Sequence, residues 1–355
     1  MTDLFSVIRP FLHAFPPETA HKASLMALTN GLLIKQKPDF APILLQNICG
    51  LEFKTPVGMA AGFDKNAEAV NPLLMQGFSF VEAGTVTPLP QAGNDKPRIF
   101  RLTKDSAIIN RLGFNNDGLD IFTKNFSKHN KKLGIAGANI GKNKDSHDAS
   151  DDYVKGLTAV YPYADYITIN ISSPNTQGLR DLQKGEALTI LLAEIAKARR
   201  QAAQNHNKNI PVFLKVAPDI NGRECESIAE AVISNGIDGL IISNTTISRP
   251  QSLTDAQKNE IGGLSGPPLF APSTKVLANM YKMTKGKIPL IGVGGIASPE
   301  DAYIKIRAGA TLVQLYTALI YQGFGLVRSI NRELPKLLAR DGFKNISEAI
   351  GSDIR

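Results

Sequence analysis

The chain has 355 residues, a formal net charge of +8 and 43% hydrophobic residues. These values are ordinary for a globular chain and exclude wholesale disorder. Its two cysteines are too few for a disulfide framework or a zinc cage, which fits a reducing cytoplasm. No apolar run approaches the roughly 20 residues of a membrane-spanning helix, and the N-terminus resembles neither a secretory signal nor a transit peptide. We therefore expect a bacterial-type protein on the cytoplasmic side.

Residues 1–38 carry two amphipathic stripes. Apolar residues recur at helical spacing, first at Leu4, Val7, Ile8, Phe11 and Leu12 and then, with one threonine among them, at Leu25, Leu28, Thr29, Leu32 and Leu33. Pro16 and Pro17 separate the stripes, and Pro17 suits the first turn of a second helix. The pattern predicts a small helical hairpin. Two interpretations stay open: a lid packed on the rest of the protein, which periodicity favours, or a surface that contacts lipid.

From residue 55 onward, eight short apolar or glycine-rich runs alternate with helical stretches. The runs lie at 55–62, 78–86, 134–141, 166–172, 212–217, 238–244, 288–295 and 311–319. Eight such runs over roughly 260 residues predict an α/β fold, a closed (β/α)8 TIM barrel, rather than an open doubly wound sheet. The predicted domains are the hairpin 1–38 and a barrel 39–355 with an insert at about 87–133.

Positive charge is concentrated in that insert. Between residues 96 and 132, nine Lys and Arg stand against three acids, a local excess of +6. An insert that follows a barrel strand lies at the C-terminal face, so we expect this charge beside the active site. Charge alone favours a solvated surface and an anion-binding surface equally. No run of five or six like charges resembles a nucleic-acid-binding tail.

The carboxyl ends of the predicted strands carry an unusual set of amides. They are Asn139, Asn170, Asn175 and Asn244, with Asn110 available from the insert. Amide side chains both donate and accept hydrogen bonds, so such a group suits a flat heterocycle such as a pyrimidine or a flavin. Any one of them is more simply a helix cap or a turn residue. It is the whole set that indicates recognition.

Charged and glycine residues at the same ends indicate an anionic ligand. The sequence GVGGI at 292–296 precedes Tyr316 and Thr317, in the region where barrels commonly bind phosphate. Lys65 and Lys215 require an anionic partner, because a buried unpaired ammonium is costly. No histidine falls at a strand end, and no carboxylate cluster there suits a metal. These residues predict cofactor chemistry, with a hydroxyl such as that of Ser173 for proton transfer.

Ten blocks in chain order resemble one known family. They are AAGFDKN, PRIFRL, INRLGFNN, GANIGKNK, INISSPNTQGLR, FLKVAPD, SNTT, GGLSGPPL, GVGGI and QLYTALIYQG. Over essentially the whole chain they are similar to the dihydroorotate dehydrogenases, specifically the membrane-associated, quinone-dependent class 2. The resemblance implies one FMN per chain, oxidation of (S)-dihydroorotate to orotate in pyrimidine biosynthesis, and electron transfer to a membrane quinone. It also implies a monomer, bound peripherally on the cytoplasmic side of the bacterial cell membrane through the hairpin.

The resemblance implies roles for individual residues. Ser173 would be the catalytic base that removes the C5 proton, with Thr176 and a water screened by Phe114 carrying the proton away. The substrate would be held by Lys65, Asn110, Arg111, Leu112, Gly113, Phe114, Asn170, Asn175, Asn244 and Thr245. FMN would be held by Ala61, Gly62, Phe63, Asp64, Lys65, Thr85, Asn139, Asn170, Lys215, Ser243, Gly266, Gly295, Tyr316 and Thr317. Lys215 would stabilise the reduced flavin.

Three alternatives are weighed against this interpretation. A soluble class 1 dihydroorotate dehydrogenase, using fumarate or NAD, would have cysteine in place of Ser173 and no hairpin. A flavin-dependent tRNA dihydrouridine synthase would suit the positive charge, but it requires a catalytic cysteine. Cys49 and Cys225 lie outside the predicted mouth motifs. A non-enzymatic phosphate-binding barrel would not need Lys65, Ser173 and Lys215 together.

Overall fold

The computed structural model describes residues 4–36 and 40–354. Two helices come first, α1 (Leu4–Ala14) and α2 (Pro17–Thr29), and Pro17 lies in the first turn of α2 as predicted. The second helix is shorter than its stripe, because Gly31 takes a left-handed conformation with a φ of 69°. Leu32 and Leu33 therefore lie beyond the helix, where the sequence pattern had placed them on it. The predicted domain boundary at residue 38 falls outside the described residues.

A short antiparallel sheet precedes the barrel, formed by β1 (Gln46–Ile48) and β2 (Leu51–Phe53). The Phe53 ring meets the Phe80 ring edge-on, with centroids 5.3 Å apart, so this sheet packs on the N-terminal end of the barrel. Leu44, just before β1, is fully buried in the main core. The barrel's packing therefore begins before its first strand.

Eight parallel strands close into a barrel, which confirms the predicted fold class. In barrel order they are β3 (Val57–Met59), β4 (Phe80–Val86), β7 (Ile135–Ile140), β8 (Tyr166–Asn170), β9 (Val212–Val216), β10 (Gly239–Ile242), β12 (Leu290–Val293) and β13 (Leu312–Leu315). Each predicted run contains one strand. The run at 311–319 is only partly extended, because a helix begins at Thr317.

Helices follow the strands and cover the outside of the barrel. They are α3 (Val70–Leu74), α4 (Gly118–Phe126), α5 (Ala149–Val160), α6 (Gly185–His206), α7 (Gly222–Ser234), α8 (Phe270–Thr284), α9 (Pro299–Arg307), α10 (Thr317–Gln322), α11 (Gly325–Arg340) and α12 (Ile346–Ala349). Their buried faces form one continuous core with the outward side chains of the strands.

Aromatic rings fill the N-terminal half of the barrel. Phe80 and Tyr166 begin β4 and β8, and their rings meet edge-on inside it. Glycines on neighbouring strands leave the space: a Cβ at Gly58 would lie 2.3 Å from the Phe80 ring, and one at Gly137 would lie 2.1 Å from the Tyr166 ring. Because this end is packed with side chains, the carboxyl ends of the strands offer the entrance for a ligand.

The predicted insert folds into two strands and a helix. β5 (Ile99–Leu102) pairs with β6 (Ala107–Asn110), and β11 (Gly263–Ser265) joins the other side of β6. This three-stranded sheet lies over the carboxyl ends of the barrel strands, as an insert at that face should. The third strand comes from a distant part of the chain, and the sequence pattern did not predict it.

The basic charge of the insert is divided between two places: Arg101 lines the cavity between barrel and hairpin, whereas the lysines of the insert do not. Helix α4 runs back along the barrel, and His129, just beyond it, lies 3.2 Å from Asp165 at the start of β8. The side chains along and after α4 are exposed at Lys124, Lys128, Lys131 and Lys132. Four of the nine basic residues of this stretch therefore lie on a solvated outer face toward the opposite end of the barrel.

Two arginines of the insert hold the hairpin instead. Arg98 is buried, and its Nη2 lies 2.7 Å from Glu18 Oε1 on α2. Arg101 donates to the carbonyl oxygens of His13 and Phe15 at 3.0 and 2.9 Å, where α1 ends. A cation there satisfies carbonyl groups that a helix end leaves without partners. These arginines fasten α1 and α2 onto the sheet.

Candidate active site

A cavity of about 490 Å³ lies where the carboxyl ends of the barrel strands, the three-stranded sheet and the hairpin meet. All but three of the predicted site residues line it. They are Ala61, Gly62, Phe63, Lys65, Thr85, Asn110, Leu112, Gly113, Phe114, Asn170, Ser173, Asn175, Lys215, Ser243, Asn244, Thr245, Gly266, Gly295, Tyr316 and Thr317. Residues spread over most of the sequence thus meet around one space.

Two of the three exceptions point into the protein or away from the cavity. The Asp64 carboxylate accepts backbone N–H bonds from Glu68 and Ala69 at 2.8 and 2.7 Å, which stabilises the turn after β3. Burial raises the pKa of Asp64 to about 6. Arg111 Nη1 lies 2.9 Å from Glu260 Oε2. Neither side chain reaches the cavity, because each already has a protein partner.

Three of the predicted amides, Asn139, Asn170 and Asn244, form one connected network, and Asn110 and Asn175 form a separate pair. Thr85 Oγ1 donates to Asn139 Oδ1 at 2.5 Å, and Asn170 Nδ2 donates to Thr85 Oγ1 at 2.9 Å. Asn244 Nδ2 donates to Ser172 Oγ at 3.0 Å. Asn139 lies behind the cavity wall and is the third exception, since it supports the side chains that do reach the cavity. The network fixes the orientation of the amides before a ligand arrives.

A buried carboxylate that sequence reasoning missed lies beneath this network. Glu82 on β4 is fully buried and accepts hydrogen bonds from Asn139 at 2.7 Å, Gln314 at 2.8 Å and Tyr166 at 3.1 Å. Lys215 Nζ lies 3.9 Å from its Oε1. Burial lowers the pKa of Lys215, and the Glu82 charge opposes that shift. The one signal in the sequence was an acid in the middle of the strand FVEAGTV.

Ser173 follows β8 in a loop that folds over the cavity. It is almost fully buried, and its Oγ accepts the N–H of Asn175 at 3.2 Å. Arg180, further along the loop, donates to Asp219 Oδ2 at 2.8 Å and to the Thr245 carbonyl at 2.9 Å. Arg180 therefore ties the serine loop to the ends of β9 and β10. The sequence did not predict this contact, although Arg180 ends the block INISSPNTQGLR and Asp219 ends the block FLKVAPD.

Lys65 and a histidine from the hairpin complete the charged lining. Burial and the charge of Arg98 lower the pKa of Lys65 to about 8. His21 on α2 also lines the cavity, where burial and the nearby Lys65 lower its pKa to about 4. Its imidazole is therefore neutral near pH 7, and it meets the Phe63 ring edge-on. The sequence pattern did not indicate His21, because this histidine lies on the hairpin and not at the end of a strand.

The cavity becomes apolar as it extends between α1 and α2. Its hairpin lining includes Ile8, Leu12, Ala20, Ala23, Ala27 and Leu33. The outer side of the same helices is also apolar, with 57% of Val7, 70% of Phe11 and 64% of Met26 exposed to solvent. No helix within residues 4–36 and 40–354 combines the length and apolar character needed to cross a bilayer.

The other end of the cavity suits a flavin with a phosphate. Gln314 Oε1 is buried there without a hydrogen-bond partner in the described part of the chain, and Lys215 lies beside it. Gly295 has a φ of 77°, and a Cβ there would lie 2.6 Å from the Phe270 backbone, so the loop needs glycine. The N–H groups of Gly295 and Thr317 donate to no acceptor within the described residues. Free backbone donors in a glycine loop fit a phosphate group.

Comparison with known proteins identifies the family. The model of the dihydroorotate dehydrogenase family matches residues 43–338. The chain is 49% identical over 355 residues to "Dihydroorotate dehydrogenase (quinone)" of Azorhizobium caulinodans, with 99% of this chain and 100% of that protein covered. It is 48% identical over 374 residues to the mitochondrial quinone enzyme of Arabidopsis thaliana, covering 98% and 81%.

A solved structure agrees with the sequence comparisons. The crystal structure of DHODH from Eimeria tenella in complex with ferulenol superposes with a TM-score of 0.91 at 44% identity, covering 96% of both chains. These relatives exclude the tRNA dihydrouridine synthase and the soluble class 1 enzyme as interpretations. The chain belongs to the dihydroorotate dehydrogenase family, and within it to the quinone-dependent enzymes.

Proposed function

We propose that this chain oxidises (S)-dihydroorotate to orotate in the cavity at the carboxyl ends of the barrel strands, with bound FMN and a quinone as electron acceptor. The observation that carries the proposal is the continuity of one cavity. It joins Ser173, Lys65 and the amide network to an apolar space between α1 and α2. A polar substrate and an apolar quinone are therefore served by two ends of the same space.

The polar end has the groups that dihydroorotate requires. The substrate is a cyclic imide with ring N–H and C=O groups and one carboxylate. Amides that both donate and accept suit the ring, and Lys65 suits the carboxylate. Asn175 Nδ2 donates to the Asn110 backbone carbonyl at 3.1 Å and to Asn110 Oδ1 at 3.4 Å, which fixes the amide and leaves its side-chain oxygen available. Amides fixed in this way select for the substrate, because a ligand that lacks a matching group leaves a buried polar group of the site without a hydrogen bond.

Ser173 is proposed to take the C5 proton of the substrate. FMN, when bound, supplies the acceptor for the hydride that leaves C6. A serine is a poor base in water, so it needs a site that orients its hydroxyl and removes the proton. The buried loop supports the first of these requirements, since the Asn175 N–H orients Ser173 Oγ and Arg180 holds the loop closed. Thr176, also buried, remains the predicted next acceptor for the proton.

The activity is tested with purified full-length protein. We expect the protein to carry FMN and to form orotate when a short-tailed ubiquinone analogue is present with a reporter dye. Fumarate and NAD should support little or no turnover, because the class that uses them lacks the hairpin. Absence of bound flavin, or orotate formation with fumarate alone, would overturn the proposal.

A second test concerns Lys215. Replacement by methionine should lower the midpoint potential of the bound flavin, because a cation beside the ring favours the anionic reduced form over the oxidised form. A redox titration of the holoprotein measures this. Lys142→Met is the matched control, since Lys142 is also buried but does not line the cavity. An unchanged potential in Lys215→Met, with flavin still bound, would show that Lys215 serves only as an ion-pair partner of Glu82.

We also propose that the hairpin rests on a membrane surface. Its inner side lines the cavity, while its outer side exposes Val7, Phe11 and Met26 to solvent. A lid that served only to cover the barrel would have one apolar face, not two. Short helices with an exposed apolar face can lie in the interface between headgroups and acyl chains. A quinone could then enter from the bilayer without crossing water.

A further inference from the structure

Another buried lysine lies outside the cavity and has no role in the chemistry above. Lys305 on α9 is fully buried, and its Nζ lies 2.6 Å from Ser273 Oγ and 5.1 Å from the centroid of the Phe270 ring. Burial lowers its pKa to about 7, and the nearest opposing influence is Asp301 on the same helix. The Asp301 carboxylate is already bound to the Ala297 N–H at 2.9 Å. Lys305 is thus a buried lysine without an ion pair among the described residues.

Its position is directly behind the glycine loop that follows β12. Ser273 Oγ, which accepts from Lys305, lies 3.2 Å from the Gly294 carbonyl. A Cβ at Gly294 would lie 2.8 Å from Ser273 Oγ, and one at Gly292 would lie 3.4 Å from Lys305 Cδ. Gly294 and its neighbour line the cavity, whereas Ser273 and Lys305 do not. The loop therefore separates the ammonium from the cavity by one layer of backbone.

The electrostatic surroundings of Lys305 are unfavourable without an anion. Phe270 and Ser273 belong to the first turn of α8, a helix of 15 residues, whose N-terminal end carries partial positive charge. A cation placed there is destabilised by the helix dipole and by the loss of water. Both costs fall when a negative group lies on the other side of the loop. Gly295 lines the cavity, and its N–H, which has no acceptor within the described residues, is also satisfied by such a negative group.

We propose that Lys305 is a positioning residue for the phosphate of FMN, whose charge it stabilises through the glycine loop without touching it. The inference rests on the proposed FMN site. Ser273 holds the ammonium in place, and the glycines let backbone lie close to both sides. Two opposite charges in a protein interior of effective dielectric constant ~20 still interact appreciably across such a layer. The affinity for FMN should therefore depend on Lys305, whereas the affinity for a flavin without phosphate should not.

The test compares FMN with riboflavin, which has the same ring and no phosphate. Holoprotein is equilibrated with mixtures of the two flavins, and the bound flavins are separated and quantified. We expect Lys305→Met to reduce the preference for FMN over riboflavin by roughly tenfold or more. Lys215→Met is the matched control, because it removes a buried lysine beside the ring and should leave the ratio unchanged.

Lys305→Gln is the second variant, since it keeps a hydrogen bond to Ser273 but removes the charge. The same loss of preference is expected, which separates the charge from the hydrogen bond. An unchanged ratio in either folded variant would overturn the proposal, and so would failure of both variants to fold, since Lys305 would then serve the fold itself. If wild-type protein shows no preference for FMN, the proposed cofactor is wrong, and that result is distinguishable from failure of the Lys305 inference.

Discussion

Replacement of Ser173 by alanine is expected to slow reduction of the flavin by dihydroorotate by roughly 10²–10⁴, the usual contribution of a positioned acid or base. Fold and flavin binding should be kept, because the change removes one hydroxyl from the cavity wall. The only described bond lost is the one from the Asn175 N–H. Single-turnover mixing of the oxidised holoprotein with dihydroorotate measures the step directly.

Ser173→Cys is the informative companion variant. A thiol ionises closer to neutral pH than a hydroxyl, so this variant should retain part of the activity and show its pH profile displaced to lower pH. A structural role for Ser173 would not produce that displacement. Near wild-type flavin reduction in Ser173→Ala would show that another group removes the proton.

Removal of the hairpin should separate the two halves of the reaction. The sequence pattern alone would place the truncation near Gln46, ahead of the predicted strands. Because Leu44 is fully buried in the barrel core, the truncated protein should instead begin at Phe40. We expect it to fold, bind FMN and be reduced by dihydroorotate normally, because the polar end of the cavity comes from the barrel and its sheet. Reoxidation by a long-tailed quinone should be severely slowed, and binding to liposomes should be lost.

Point variants make the same test in the full-length chain. Phe11→Ser lies on the exposed outer side of α1 and should weaken liposome binding without changing flavin reduction. Ile190→Ser is the control, since Ile190 is 53% exposed on α6, outside the hairpin and the cavity lining. If the full-length protein does not bind liposomes, and the truncated protein keeps its quinone turnover, then the hairpin is only a lid and the membrane proposal fails.

The sequence predicts the barrel well because each strand carries its own local signal. Apolar and β-branched runs such as VFLKVA report a strand without knowledge of its neighbours, and the strand ends follow from the runs. The amides at those ends were found for the same reason. What the sequence pattern could not show is which of them face a ligand. Asn139 and Asn170 look alike in sequence, yet Asn139 supports the wall and Asn170 forms part of it.

The features that were missed depend on pairs far apart in the chain. Arg98 looks like one of many basic residues of the insert, and only its ion pair with Glu18 on α2 shows that it fastens the hairpin. β11 is three residues long and becomes a strand because β6 lies beside it. Lys305 sits in an ordinary amphipathic helix pattern, where an exposed lysine is the simplest expectation. Its burial follows from the packing of α9 against α8.

The glycine and aromatic pairs inside the barrel restrict how this protein can change over time. A side chain at Gly58 would need the volume that the Phe80 ring fills, and the same holds for Gly137 and the Tyr166 ring. Enlarging one glycine forces its partner ring to move, and shrinking the ring first leaves a void that costs roughly 3–5 kcal/mol. Either single step lowers stability, whereas both steps together conserve volume. The two members of each pair should therefore be substituted together in evolution, because a substitution at one position is tolerated only with a compensating substitution at the other.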